Sequence, residues 1–187
     1  NLITDTINAV SHHVKAGTVN WAMVVYLTLA HIAAVCGLFL LNACDTRTLL
    51  WAFFLWPVSG LGITAGAHRL WAHRSYTATW PLRVALMLMN STANQGSVYH
   101  WRRDHRVHHK HSEQDGDPHD ARRGFFFAHV GWLLVKKAPQ VARAGAEVSF
   151  DDLKQDEVVM WQHRHDPWFA LFVCFVLPGL VPMLWGA

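Results

Sequence analysis

Cysteine is scarce in this chain and lies away from the other metal-binding residue types. The 187 residues include three cysteines, Cys36, Cys44 and Cys174, each inside or at the edge of an apolar segment. Structural zinc sites combine cysteine with histidine at short paired spacings, so a site of that kind is excluded. The three cysteines also give no disulfide framework, which fits a reducing cytosolic environment.

Two further metal-binding motifs are missing. Zinc proteases carry a glutamate next to the first histidine of a His-x-x-x-His pair, and neither histidine cluster of this chain has one. Soluble di-iron proteins with carboxylate ligands use Glu-x-x-His pairs on bundle helices, and the sequence contains none. Any metal centre in this chain therefore rests on imidazole ligands.

The chain also lacks a signal peptide and an initiator methionine. It begins Asn1-Leu-Ile-Thr-Asp5, with neither a basic region nor a small-residue cleavage site, and it ends within an apolar run at Ala187. We therefore expect an internal fragment of a longer protein, truncated at its C-terminal end.

Charged residues are absent from three long stretches, residues 19–43, 48–67 and 167–187. Hydrophobic residues make up 52% of the chain while the mean hydropathy is only +0.12, so apolar and polar residues are segregated along it. A helix needs about 20 apolar residues to cross a bilayer core. The sequence predicts an all-α fold, a single integral membrane helical bundle over residues 1–187. Its first helical hairpin and the start of a third span correspond to the three uncharged stretches.

The distribution of basic residues predicts the orientation in the membrane. Of the 16 Lys and Arg residues, 14 lie between Arg69 and Arg164. The positive-inside rule then places residues 68–165 in the cytosol as a helical, histidine-rich cap. The short linker at residues 44–47 lies on the opposite side. A formal net charge of +3 is too small to indicate nucleic acid, so the expected partner surface is the lipid bilayer.

Five histidines form two clusters with fixed spacing. The first is His68 and His73; the second is His105, His108 and His109. On a helix, the second cluster occupies positions i, i+3 and i+4, which share one face. The members of the first are five residues apart, roughly 140° around an α-helix, so they need a widened turn or a helix end to meet. More than four imidazoles exceed what one tetrahedral zinc takes, and two iron ions suit the set better.

Other segments of the cap carry weaker signals. Leu82 to Met89 is apolar except for Arg83 and is too short to span, which favours a re-entrant or interfacial helix. The polar residues 90–97 either line a buried cavity or face other helices. Ser149 followed by two aspartates is typical of a helix N-terminus, and predicts a helix over about residues 150–163.

Three stretches of this sequence resemble a known family, the membrane fatty acyl-CoA desaturases of the stearoyl-CoA desaturase-like type. They are Gly62-Ile-Thr-Ala-Gly-Ala-His68-Arg-Leu-Trp-Ala-His73, Asp104-His-Arg-Val-His-His-Lys110 and Asp117-Pro-His-Asp-Ala-Arg-Arg-Gly-Phe-Phe-Phe-Ala-His-Val-Gly-Trp132. The resemblance implies a multi-pass enzyme of the endoplasmic reticulum membrane, with its histidine boxes facing the cytosol. It implies two Fe ions, O2 as co-substrate and cytochrome b5 as electron donor. The implied reaction inserts a cis double bond of the delta-9 type into a fatty acyl-CoA.

The resemblance also assigns residues. The metal ligands are His68, His73, His105, His108 and His109. The substrate-binding residues are Arg103, Asp104, Lys136 and Lys137 at the CoA group, and Trp101 and Gln95 along the acyl tunnel. Asp104, beside His105, is expected to orient a ligand ring. The family's third histidine box has no match in this chain, so we expect the fragment alone to be inactive.

Two alternatives remain open at the level of sequence. One is another histidine-box membrane oxygenase, either a hydroxylase or an acyl-lipid desaturase. The other is a non-catalytic membrane protein whose histidines bind zinc. Basic residues suited to CoA phosphates favour the acyl-CoA desaturase over the first alternative.

Overall fold

The computed structural model describes residues 2–186, which are mostly helical and form no regular strand. In chain order the α-helices are α1 (Leu2–Lys15), α2 (Trp21–Leu40), α3 (Thr46–Leu61), α4 (Trp80–Ala93), α5 (Val98–His111), α6 (Phe125–His129), α7 (Pro139–Ala146), α8 (Asp151–Lys154), α9 (Glu157–His165), α10 (Trp168–Leu171) and α11 (Leu177–Leu180). Two π-helical segments follow α3 and α10, at Gly62–Ala72 and Phe172–Val176. Short 3₁₀ segments lie at Leu41–Ala43, Ala121–Arg123, Gly131–Leu133 and Val181–Trp185.

Three helices are long and apolar enough to cross a membrane, as the uncharged stretches predict. They run over Trp21–Ala43, Thr46–Ala72 and Trp168–Trp185. The first has no buried residue in the bundle, which suits a helix surrounded by lipid. The second extends beyond the predicted end at residue 67, and this extension carries His68.

A short linker joins the first two spans, and the third returns along the second. Asp45 caps α3 by accepting a hydrogen bond from the Arg47 backbone N–H at 2.7 Å. At the same end, the Trp185 indole N–H donates to the Thr48 hydroxyl at 3.0 Å. Further along, the Trp51 indole N–H donates to the Pro178 carbonyl at 3.1 Å. The third span therefore starts at the cap and ends at the hairpin linker.

α4 crosses the second span at unusually close range. A Cβ atom at Gly62 would lie 2.2 Å from the Asn90 nitrogen and 2.5 Å from the Met89 carbonyl oxygen. One turn later, a Cβ at Gly66 would lie 3.3 Å from the Leu86 Cβ. Only glycine leaves room for backbone to meet backbone in this way. The crossing fixes α4, the expected short apolar helix, against the base of the π-helical segment.

The polar residues in the last turn of α4 and directly after it face other helices and form a buried hydrogen-bond network. Asn90, Ser91 and Ser97 are completely buried. The Gln162 amide donates to Ser91 Oγ at 2.8 Å and to Asn90 Oδ1 at 3.2 Å. Its oxygen accepts from the Val98 backbone N–H at 2.8 Å. The network ties α4, α5 and α9 together, and the contacts favour this arrangement over a cavity lined by these groups.

The single helix predicted over about residues 150–163 is wrong, because two helices occupy that stretch. α8 ends at Lys154 and α9 begins at Glu157. Asp156 stands between them and caps α9, accepting from the Val158 backbone N–H at 3.0 Å. The same carboxylate accepts from the Trp71 indole at 3.0 Å and pairs with Arg83 at 2.9 Å. These tertiary bonds hold the chain in a bend that the local sequence does not specify.

Asp152 anchors α8 to the helices that carry the histidines. It pairs with Arg106 at 3.0 Å, with Arg74 at 2.6 Å and with the buried Arg102. Arg102 and Arg106 belong to α5, and Arg74 follows His73. A single carboxylate therefore fixes the end of the π-helical segment and α5 in one arrangement.

Candidate metal centre

The π-helical segment brings His68 and His73 together. The His73 backbone N–H donates to the His68 carbonyl at 2.9 Å, which closes a five-residue π-turn in place of the four-residue α-turn. Their rings are 4.4 Å apart between centroids, and their Nε2 atoms are 3.0 Å apart. The structure thus contains the widened turn that a five-residue spacing requires.

α5 supplies His105 and His109 to the same space. His105 Nε2 lies 3.1 Å from His73 Nε2, and His109 Nε2 lies 3.1 Å from His105 Nε2. The two rings on α5 are four residues apart and share one face, as the spacing predicts. We call His68, His73, His105 and His109 the four-histidine cluster.

Hydrogen bonds alone do not satisfy the four-histidine cluster. Each neutral Nε2 carries either a proton or a lone pair, never both. His73 Nε2 and His105 Nε2 each meet two other Nε2 atoms at 3.0–3.1 Å, so a single proton or lone pair would have to serve two contacts at each of them. A cation that accepts four lone pairs removes the conflict. Ligands at roughly 2.0–2.1 Å from one ion are separated by about 2.9–3.4 Å, which agrees with the spacing here.

The protonation states also suit a metal site. Burial, together with the neighbouring histidines, lowers the pKa of His105 to about 3. The pKa of His73 is also lowered, first by burial and then by His68 and His109. Both rings are therefore neutral near pH 7 and present the lone pairs that a metal needs.

His108, which the spacing predicts on the same face as His105 and His109, stands apart from the four-histidine cluster. Its ring centroid is 6.3 Å from that of His105 and 5.6 Å from that of His109. Its Nδ1 contacts Asp117 at 2.9 Å, and the His119 ring packs on it at 4.1 Å. His108, Asp117 and His119 form a second group whose potential ligand atoms lie within 4.8 Å of one another. The sequence reasoning missed Asp117 and His119, although both lie in the quoted Asp-Pro-His stretch.

The predicted role of Asp104 in orienting a ligand ring is not what the contacts show. Asp104 accepts from Arg103 Nε at 3.2 Å and pairs closely with Lys137. Neither contact involves a histidine, because Asp104 is engaged by these two cations. The carboxylate that contacts a predicted ligand ring is Asp117.

The six predicted substrate residues fall into three places. Arg103, Asp104 and Lys137 form one ion-pair cluster, in which partial burial lowers the pKa of Lys137. Lys136 lies elsewhere and donates to the Gly17 carbonyl at 2.9 Å, where the chain enters the first span.

Trp101 and Gln95 lie together beside the metal site. The Trp101 indole N–H donates to Gln95 Oε1 at 3.0 Å. The Trp101 ring stacks on His105 at 4.7 Å and meets the edge of His68 at 6.0 Å. An apolar surface therefore lies directly against two members of the four-histidine cluster.

Comparison with known proteins decides the family. A family model described as fatty acid desaturase matches residues 46–187. This chain belongs to the fatty acid desaturase family. It is 50% identical over 167 residues to the stearoyl-CoA desaturase of Sus scrofa, covering 89% of this chain and 46% of that protein. It is 51% identical over 168 residues to the acyl-CoA Delta-9 desaturase of Acheta domesticus, covering 89% of this chain and 47% of that protein. For the acyl-CoA desaturase of Cyprinus carpio, the identity is 52% over 167 residues, which cover 89% of this chain and 51% of that protein.

The chain spans about half the length of the curated relatives it matches. Within that half, this desaturase-family chain is a membrane protein with three candidate spans and an intervening histidine-rich cap. The donor set of the four-histidine cluster fits a transition metal, and the group around His108 adjoins it.

Proposed function

We propose that the protein containing this chain is an acyl-CoA desaturase that uses O2 to insert a cis double bond of the delta-9 type. The observation that carries the proposal is the four-histidine cluster packed against Trp101 at the cap end of a membrane span. The names of the relatives, stearoyl-CoA desaturase and acyl-CoA Delta-9 desaturase, support the reaction and the substrate class.

Two iron ions, held by His68, His73, His105, His108 and His109, would supply the oxygen activation and oxidising power needed at an unactivated methylene. Four of these residues offer Nε2 atoms that lie 3.0–3.1 Å apart in succession, from His68 through His73 and His105 to His109. His108 offers the ring nitrogen that does not contact Asp117. The neutral state of His105 and His73 keeps protons from competing for these positions.

The substrate would bind with its charged CoA group at the surface of the cap and its acyl chain against the metal centre. Arg103 and Lys137, held together by Asp104, offer cations for CoA phosphates on one side of α5. Trp101, oriented by Gln95, offers an apolar wall against His105 for the acyl chain. Lys136 is the weaker candidate of the predicted set, because its ammonium is bonded to the Gly17 carbonyl.

The expected setting is the endoplasmic reticulum membrane, with the cap facing the cytosol. The 14 Lys and Arg residues between Arg69 and Arg164 support that orientation. Reduction of one O2 to two waters requires four electrons. The substrate supplies two of them when the double bond forms, and an external donor must supply the other two. A cytosolic electron carrier is therefore needed, and cytochrome b5 fits this role.

The test is expression of the full-length protein in desaturase-deficient yeast, followed by mass spectrometry of the lipids. We expect cis-monounsaturated acyl chains from wild type and none from a His105→Ala variant. Hydroxylated products would indicate a histidine-box hydroxylase instead. Unsaturation confined to intact membrane lipids, with acyl-CoA unchanged, would indicate an acyl-lipid desaturase.

A further inference from the structure

The loop after α5 places a buried carboxylate against His108, the predicted ligand that stands apart from the four-histidine cluster. His108 Nδ1 lies 2.9 Å from Asp117 Oδ1 and 3.0 Å from Oδ2. The Asp117 side chain is fully buried and, among residues 2–186, has no Lys or Arg partner. A buried charge of this kind is costly unless hydrogen bonds replace its lost hydration, so each donor to Asp117 matters.

The hydrogen bonds to Asp117 define which ring nitrogen of His108 carries the proton. The His119 backbone N–H donates to Oδ1 at 3.0 Å, and the Glu113 backbone N–H donates to Oδ2 at 3.0 Å. Both oxygens therefore act as acceptors of backbone donors, and the His108 contact adds a third donor to the same carboxylate. The proton of the His108 contact must then lie on Nδ1, which leaves the lone pair on Nε2.

The surrounding fold fixes the position of both groups. A Cβ at Gly116 would lie 2.8 Å from the Ala144 Cβ and 3.2 Å from the His111 ring, so glycine lets the loop press between α5 and α7. The His119 ring packs on His108 with 32° between the planes, and Trp132 lies 5.4 Å behind His119. The imidazole of His108 is thus held both at its edge and on its face.

We propose that Asp117 is a positioning residue of the metal centre, which holds His108 as the Nδ1–H tautomer so that Nε2 binds iron. This inference rests on the proposed function. A carboxylate at the outer nitrogen of a ligand histidine fixes the ring and increases its basicity as a ligand. A buried negative charge also offsets part of the charge of a metal that is bound by neutral imidazoles.

Asp117 is not itself a metal ligand in this arrangement. Both of its oxygens accept backbone hydrogen bonds as well as the His108 contact. The 2.9 Å separation from Nδ1 has the ordinary length of an N–H···O hydrogen bond.

The experiment measures Fe(II) affinity of the full-length protein by chelator competition in wild type, Asp117→Asn and Asp120→Asn. Asp120 is the matched control because it is a buried carboxylate of the same loop whose side chain is bonded to Arg122. We expect Asp117→Asn to weaken binding of one iron by about 10–100-fold. Asp120→Asn should stay within about twofold of wild type.

A double-mutant cycle with His108→Ala separates positioning from a general effect on the fold. If Asp117 acts through His108, Asp117→Asn should lower the Fe(II) affinity less than about twofold in the His108→Ala background. An equal loss in both backgrounds, or wild-type affinity in Asp117→Asn, would overturn the inference while leaving the desaturase proposal intact. If wild type binds no iron, both proposals fail.

A measurement on wild type does not depend on the stability of any variant. Ring ¹⁵N chemical shifts of the metal-free full-length protein, with His108 assigned by its loss in His108→Ala, report the tautomer. We expect Nδ1 to be protonated and Nε2 to be unprotonated at pH 7. The opposite tautomer would contradict the role of Asp117.

Discussion

At the scale of single residues, the number of protons and lone pairs on the four Nε2 atoms supports a metal ion as the partner of the four-histidine cluster. Three contacts of hydrogen-bond length link the four Nε2 atoms, and the two middle atoms each have one proton or one lone pair for two contacts. Burial lowers the pKa of His105 to about 3, so protonation does not resolve the conflict near neutral pH. A metal ion would accept all four lone pairs at once, which is compatible with the proposed iron centre.

The two neighbouring lysines should contribute unequally to acyl-CoA binding. Lys137 joins Arg103 through Asp104, whereas the Lys136 ammonium is bonded to the Gly17 carbonyl. We expect Lys137→Ala to raise the KM for acyl-CoA roughly tenfold, near the lower limit for losing a hydrogen bond to a charged group. Lys136→Ala, as the matched control, should change KM less than about threefold. Steady-state assays of the full-length enzyme check this. Equal increases in KM for the two variants would contradict a larger contribution of Lys137 to acyl-CoA binding.

At the scale of helices, the close crossing at Gly62 holds the histidine-bearing segment in place. We expect Gly62→Ala to destabilise the full-length protein by about 1–3 kcal/mol, because the added methyl meets backbone atoms that have no room to move. The control is Gly60→Ala, where a Cβ meets nothing within 4 Å and helix propensity rises. Thermal unfolding in detergent compares the two. A Gly62→Ala variant as stable as Gly60→Ala would show that the crossing is looser than described.

Helical periodicity predicted some elements and missed others for physical reasons. The i, i+4 spacing of His105 and His109 correctly placed both rings on one face, since α5 is a regular α-helix. The spacing of His68 and His73 required a widened turn or a helix end but did not indicate which. The break at Asp156 was not predictable, because it depends on Trp71 and Arg83, which are distant in sequence.

Long-range contacts account for what the sequence could not indicate about the site. Asp104 is adjacent to His105 in sequence, yet its partners are Arg103 and Lys137. Asp117 is nine residues from His108 and reaches it only because Gly116 lets the loop approach α5. Sequence spacing predicted that histidine rings of the two clusters come together, and it did not predict which carboxylate contacts them.

At the scale of the whole molecule, three spans and a cap predict a defined topology. Cys44 lies in the hairpin linker, and Ser112 lies in an exposed loop of the cap. In sealed microsomes, a membrane-impermeant maleimide should label a Ser112→Cys variant directly and Cys44 only after permeabilisation. Cys36, within the first span, should resist labelling in both conditions. Labelling of Cys44 in intact vesicles would reverse the orientation inferred from the basic residues.

The central claim is that the four-histidine cluster forms part of an iron centre, and metal analysis of the purified full-length protein tests it most directly. We expect about two iron ions per chain in wild type. The His105→Ala variant should lose at least one of them, because His105 Nε2 lies 3.1 Å from both His73 Nε2 and His109 Nε2. Stoichiometric zinc without iron in protein isolated from its native membrane, or iron content unchanged by His105→Ala, would contradict the account.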